Sequence, residues 1–312
     1  MTLNELPRCQ QRGPEFFPGR WMCRSPRIVS FQGVTSELCS TMCPYRDHEG
    51  QRLLNGNARA GGTGYGVAIG TYDSLHPGKQ RFGTLAVELN LAVLRANCGK
   101  ETRILVCDDA SPSKSQRRYR EICEKYGAEF TTNRRRMGHT SGDMIVFHKA
   151  IRWASREGLR TVTKLSHRMV IDVPDWLRED SELLIDSGFA TQTQMLANFS
   201  LEQIRTECVM MVVDRWHSSD VLKHYSPRPI PYWNETHTYQ AISRFVDPQA
   251  PYPHFLPWKR LAFLRGNDSP PVFFREMQGD SEVLFRELAQ RHGVELTDRF
   301  STIDSCRSLD YR

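Results

Sequence analysis

The chain has 312 residues, of which 39% are hydrophobic and 25% charged, and its net charge is +6. That balance is ordinary for a soluble globular protein with a sizeable core, and no apolar run reaches the length of a bilayer span, so one large α/β domain with an appendage and no integral membrane span is expected. The basic excess is clustered at Arg117-Arg118-Tyr119-Arg120, Arg134-Arg135-Arg136 and Arg307, with no aromatic-interleaved basic stretch, which argues against nucleic acid as a partner.

The opening segment MTLNELPRCQ lacks the basic and apolar regions of a signal peptide, which predicts a cytoplasmic protein with reduced thiols. Residues 1–55 are rich in Cys and Pro and show little helical or strand period. A polar segment of this size needs a staple. In a reducing compartment a metal suits better than a disulfide. Cys9, Cys23, Cys39 and Cys43 are the candidate ligands of a structural zinc ion, with His48 as a spare. Four unrelated thiols, or a disulfide pair in an exported protein, are the plainer readings. Residues 56–66 (GNARAGGTGYG) form a flexible linker by composition. They lack the lysine of a phosphate loop.

The main domain is expected over 67–312. VAIGTY (67–72) reads as a buried strand ending at Asp73. Phe82, Leu85, Leu89, Val93 and Ala96 mark one face of a helix over 82–98, closed by Gly99. A second buried strand, ending in ILVC (104–107), stops abruptly at Asp108, Asp109, Ala110 and Ser111. Paired carboxylates at a strand's carboxyl end need partners, and that edge is where open α/β sheets bind ligands. The alternative is a solvated turn with Ser111 or Ser113 capping the next helix, 114–126, which ends at Gly127.

A short strand, 128–132, precedes the basic loop NRRRMGHTSGD (133–143). A helix is expected from Met144 to Ser155, with Ser141 or Asp143 as its cap and His139 turned to a ligand. RTVTKLSHRMVI (160–171) reads as a further strand. Strand and helix alternate, which predicts a mainly parallel sheet flanked by helices. After Pro174 the pattern predicts a helix over 176–187, a strand over 189–196, helix or strand over 201–216, a long proline-rich and aromatic loop over 226–258 and a helix over 281–291.

VAIGTY with Asp73, ILVCDDAS, GHTSGD before a helix and VTKLSHR together cover residues 65–176 and resemble the GT-A glycosyltransferase fold, a Rossmann-related α/β architecture, in its family-2-like inverting branch. Family members carry a sequence like V-D-D-G-S-x-D at the second element, which here is Val106-Cys-Asp-Asp-Ala-Ser111. The resemblance implies a nucleotide half at 67–176 and an acceptor half at 177–312. It implies that Thr71, Tyr72, Asp73 and Ser111 line a nucleotide-sugar, and that Asp108 or Asp109 accepts from its base, a UDP-sugar being the expected donor. It also implies hexosyl transfer to a glycan or other acceptor.

The departure is at the fourth strand. Family members that use Mg²⁺ or Mn²⁺ carry Asp-x-Asp there, whereas this chain has Lys164-Leu-Ser-His-Arg168 and no carboxylate before Asp172. Fixed cations can neutralise a leaving diphosphate as an ion does. Lys164, Ser166 and Arg168 alternate along one strand face, with Arg136 and His139 nearby in the loop. Glu207 is the first choice for the base that an inverting transferase needs, and Glu235 the second. A plain Arg–Glu pair and an exposed loop residue are the structural alternatives. The competing functions are a GT-A-like binding protein without activity and a nucleotidyltransferase.

Overall fold

The computed structural model describes residues 62–73, 82–186, 190–195, 204–219, 246, 255–257, 272–273 and 280–296, together with the strands β1 (Arg12–Phe17), β2 (Arg20–Cys23) and β3 (Val34–Thr35). These three form a small antiparallel sheet in the order β1-β2-β3. The segment expected to lack strand period therefore carries strands.

The main sheet is built from β4 (Tyr65–Thr71), β5 (Arg103–Asp108), β6 (Glu129–Thr132), β7 (Thr161–Ser166), β9 (Thr191–Met195), β10 (Ile204–Val212) and β11 (Phe255–Pro257). Its order is β11-β9-β10-β7-β4-β5-β6. β4 pairs in parallel with β5 on one side and β7 on the other, so Ile69 lies between Val106 and Leu165. β10 runs antiparallel to both β7 and β9. The sheet is mixed with a parallel core, as the alternation predicts. The apolar runs of β4 and β5 are buried because helices cover both faces.

On one face lie α1 (Phe82–Cys98), α2 (Ser113–Tyr126) and α4 (Trp176–Asp186). Val67, Ile69, Ile104, Val106 and Leu165 meet Val87, Leu91, Tyr119, Ile122 and Trp176 there. On the other face α3 (Gly138–Arg156) and α5 (Val213–Ser218) bring Phe147, Ile151 and Trp216 against Ala68, Leu105, Val162 and Val209. The alternation of side chains along each strand divides the two cores. α6 (Asp280–Arg291) packs outside α1, where Phe285 and Leu288 meet Leu89 and Val93. Asp172 anchors it, accepting from Arg291 at 2.6 Å, His292 at 3.0 Å and Asn97 at 2.8 Å.

The topology places a switch point at β4. The chain moves from β4 to β5 to β6 in one direction, then crosses back through α3 to β7 on the other side of β4. Ligands of open α/β sheets bind outside the carboxyl ends of the strands at such a point.

Local expectations change in three places. The helix predicted from Met144 begins at Gly138, because the Asp109 carboxylate accepts from the Met137 and Gly138 amides at 3.0 and 3.1 Å and caps it. Asp143 is therefore inside the helix rather than its cap. The strand predicted over 160–171 stops at Ser166; residues 167–168 form a turn into the short β8 (Met169–Val170), which pairs with β12 (Val272–Phe273). Pro112, not Ser111 or Ser113, is the N-cap of α2, since the Ser111 hydroxyl donates to Asp108 instead. The ambiguous 201–216 run resolves into β10 followed by α5. Gly127 closes α2 in the left-handed region at φ 62°, as expected.

Gly83 sets how closely α1 approaches the end of β4. A Cβ there would stand 2.6 Å from the Tyr72 carbonyl oxygen and would also meet the Tyr119 hydroxyl. Backbone on one side and a buried hydroxyl on the other leave no room to relax. Gly83→Ala is expected to cost about 1–3 kcal/mol in urea denaturation through overpacking.

Candidate functional site

The carboxyl edge of β4 and β5 holds Asp73, Asp108 and Asp109, all buried, at 1%, 1% and 7% exposure. Each is committed to hydrogen bonds inside the protein. Asp108 accepts from the Ser111 amide at 3.0 Å, the Ser111 hydroxyl and the Thr132 hydroxyl at 2.7 Å. Ser111 in turn accepts from the Asp73 amide at 2.6 Å. Asp73 takes the Ser115 hydroxyl at 2.7 Å. Ala110 makes the return from Asp109 to Ser111 by adopting φ 51°, a left-handed conformation at the position where the resembled pattern has glycine. Thr71 is buried and shares a 3.1 Å hydrogen bond with the Tyr119 hydroxyl.

Asp109 faces the other way, toward the segment after β6. Its Oδ1 accepts from Asn133 Nδ2 at 2.7 Å and the Met137 amide at 3.0 Å, and its Oδ2 accepts from the Gly138 amide at 3.1 Å. The acidic pair is thus a structural corner, and each buried carboxylate has the donors it needs.

The charge exposed at this edge is positive. Arg136, half-buried, donates Nη1 to the Asp73 carbonyl oxygen at 2.8 Å, and its Cζ lies 5.1 Å from the Tyr72 ring centre. Arg168, also half-buried, donates to the Tyr72 hydroxyl, with its Cζ 5.5 Å from the same ring. Both guanidiniums are held by cation–π contact and neither pairs with a carboxylate among the described residues. Tyr72 follows β4 and Arg168 follows β7, so they straddle the switch point.

Lys164 does not join them. It is 1% exposed, forms an ion pair with Asp143 of α3, donates to the Thr206 carbonyl oxygen and lies over the Phe147 ring at 5.2 Å. The expected Lys164–Ser166–Arg168 face is therefore broken up: the strand ends between Ser166 and Arg168, and Lys164 is turned into the core. The Ser166 hydroxyl is half-buried and accepts from the Arg168 amide at 3.4 Å.

Glu207 lies near the start of β10, one residue from the Cys208–Leu165 pair, beside the end of β7. Since β10 is antiparallel, its first residues reach the edge where the parallel strands end. Val209 and Met211 face α3, so Glu207 shares that face. Glu235, the side chain of His139, and those of Cys9, Cys23, Cys39 and Cys43 lie outside the described residues.

The donor set does not suit a Mg²⁺ or Mn²⁺ ion. The three carboxylates already accept from hydroxyl and amide donors of the protein, the end of β7 is cationic, and Asp172 is spent on α6. Among the described residues no group of His, Cys, Asp and Glu is arranged to hold a metal.

His167, next to Arg168, is buried. Its ring Nδ1 shares a 3.1 Å hydrogen bond with the Gly70 carbonyl oxygen. Burial, and then the charges of Arg168 and Lys164, push its pKa from 6.5 down to about 3. The unfolded imidazole takes a proton below 6.5 and the folded one does so only near 3. Between those values the unfolded state binds more protons, so stability falls as pH drops, by about 1.4 kcal/mol per unit. Thermal melts are expected to show this loss between pH 6.5 and 4, and His167→Gln to flatten it.

The sequence undervalued Arg136 and missed Asn133 and Ser115. An arginine triplet directly after a parallel strand was the available signal for Arg136. The other two are neutral residues whose roles depend on contacts 24 and 42 residues away.

No protein-family model and no curated protein matches the chain. Among solved structures it is similar to residues 1–349 of TarS from S. aureus (9% identity, 77% of this chain and 69% of that one, TM-score 0.45). It is similar to the glycosyltransferase GlyE of Streptococcus pneumoniae (9%, 78% and 63%, 0.48) and the mannosyltransferase PcManGT of Pyrobaculum calidifontis (11%, 77% and 73%, 0.41). It spans 40% of the longer TarS chain. Overlaps this loose assign no activity, so the site has to be read from its own residues.

Proposed function

We propose that the chain is a GT-A-like transferase that moves a sugar from a nucleotide-sugar, a UDP-sugar first among donors, to an acceptor hydroxyl. The observation that carries this reading is the pair of guanidiniums on Tyr72 at the switch point. Two fixed cations without carboxylate partners among the described residues suit a diphosphate, whose oxygens match the guanidinium fork. As the glycosidic C–O bond breaks, its electron pair passes to the diphosphate oxygen, and Arg136 and Arg168 stabilise the charge that develops. Their proposed role replaces a metal ion.

Glu207 is proposed as the base. It takes the proton of the acceptor hydroxyl as that oxygen bonds to the anomeric carbon from the side opposite the leaving group, which inverts the centre. Asp73, Asp108 and Ser111 serve the site by fixing the edge that presents Tyr72. Thr71 does so through Tyr119.

Thermal shift and hydrolysis across UDP-, GDP- and CMP-sugars, in EDTA, test this reading. A shift with one donor class and measurable hydrolysis is expected. Glu207→Gln is expected to lower turnover by about 10²–10⁴-fold while keeping the shift. A shift without turnover would favour a binding protein, and no shift with any nucleotide would sink the transferase.

A further inference from the structure

We infer that Asp109 is the positioning residue of the anion seat, acting through Arg136 rather than by contact with the donor. The inference rests on the proposed diphosphate site. Arg136 sits in the segment between β6 and α3, and Asp109 grips that segment on both sides of it. Asn133, three residues before, donates to Oδ1 at 2.7 Å; Met137 and Gly138, directly after, donate their amides at 3.0 and 3.1 Å. These two amides belong to the N-cap and the first residue of α3, where a carboxylate also meets the positive end of the helix.

Among the described residues Arg136 itself adds a single hydrogen bond, to the Asp73 carbonyl oxygen, and its contact with Tyr72. A guanidinium on a long side chain has many rotamers, so its placement depends on where the backbone is held. The carboxylate is close-packed as well as bonded: a Cβ on Gly142 would stand 2.7 Å from Oδ2 and 3.0 Å from Cγ of Asp109. Gly142 thus leaves the space in which the carboxylate reaches the Gly138 amide. The chain of dependence runs from Gly142 to Asp109, to the 133–138 segment, to Arg136, to the bound anion.

The test is titration of inorganic pyrophosphate into the full chain in EDTA, followed by calorimetry. Asp109→Asn keeps the shape but replaces one acceptor oxygen with a donor. Gly142→Ala alters neither Asp109 nor Arg136 in sequence but displaces the Asp109 carboxylate. Each is expected to weaken pyrophosphate by about 10- to 100-fold, the same factor expected of Arg136→Ala. Adding Asp109→Asn to Arg136→Ala should cost little more, whereas adding it to Arg168→Ala should cost its full factor. A residue that merely supports the fold would lower the melting temperature and show no such selective coupling. Wild-type affinity in both Asp109→Asn and Gly142→Ala, or full additivity with Arg136→Ala, would overturn the inference and leave the seat standing. Failure of the unaltered chain to bind pyrophosphate would overturn the seat and the inference together.

Discussion

Arg168→Ala is expected to weaken UDP binding by roughly 10- to 100-fold with little change in melting temperature. A charge-assisted hydrogen bond to phosphate is worth about 1.5–3 kcal/mol, and each 1.4 kcal/mol is tenfold in affinity. The side chain is half-buried and its anchors are the Tyr72 hydroxyl and ring face. Among the described residues its removal takes no partner from a buried carboxylate, so the fold loses little. Arg168→Lys keeps the charge and loses the planar fork, so it should recover only part of the affinity. Calorimetry with UDP in EDTA reads both variants. An Arg168→Ala protein that binds UDP as tightly as the parent would remove Arg168 from the site.

Lys164→Ala is expected to do the opposite: to cost stability rather than affinity. The ammonium is enclosed between Asp143, the Thr206 carbonyl oxygen and the Phe147 ring. Deleting the fully buried partner of a largely buried ion pair costs up to about 3–5 kcal/mol. At this chain length that lowers the melting temperature by on the order of 10 °C. Replacing both partners, as Lys164→Met with Asp143→Leu, should restore much of the loss, because two apolar side chains of similar volume need no counter-charge. UDP affinity of the protein that remains folded should be near that of the parent. A large loss of affinity at unchanged melting temperature would return Lys164 to the donor site.

These two residues show what could be read in advance. Both stand in the same short stretch, Lys164 to Arg168, and their sequence context made them equivalent. The alternation rule placed them on one face because the strand was expected to continue to Ile171. The strand ends at Ser166, so Arg168 leaves the sheet toward Tyr72 while Lys164 stays inside it. The parallel core itself was legible, since VAIGT and ILVC are nearly continuous apolar runs of the kind that strands covered on both faces require. The antiparallel β10 was not: LEQIRTECVMMVVDRW is apolar in its middle and satisfies either period.

The acidic corner was legible as important and illegible in its role. Burying Asp108 and Asp109 required partners, but the partners came from Thr132, Asn133 and the amides of Met137 and Gly138, all more than 20 residues downstream. Local sequence offered Ser111 alone. The expected start of α3 was misjudged for the same reason: its cap is the side chain that directly follows β5, so no capping residue appears in its own sequence.

A nucleotide diphosphate is proposed to bind this sheet edge on arginine rather than on a metal. The most direct test of this proposal is UDP calorimetry of the parent and the Arg136→Ala/Arg168→Ala double variant, each in EDTA and again with Mn²⁺. The parent is expected to bind in EDTA with an affinity that Mn²⁺ leaves unchanged, and the double variant to lose that binding under both conditions. Binding by the parent only with Mn²⁺, or equal binding by the folded double variant, would contradict it.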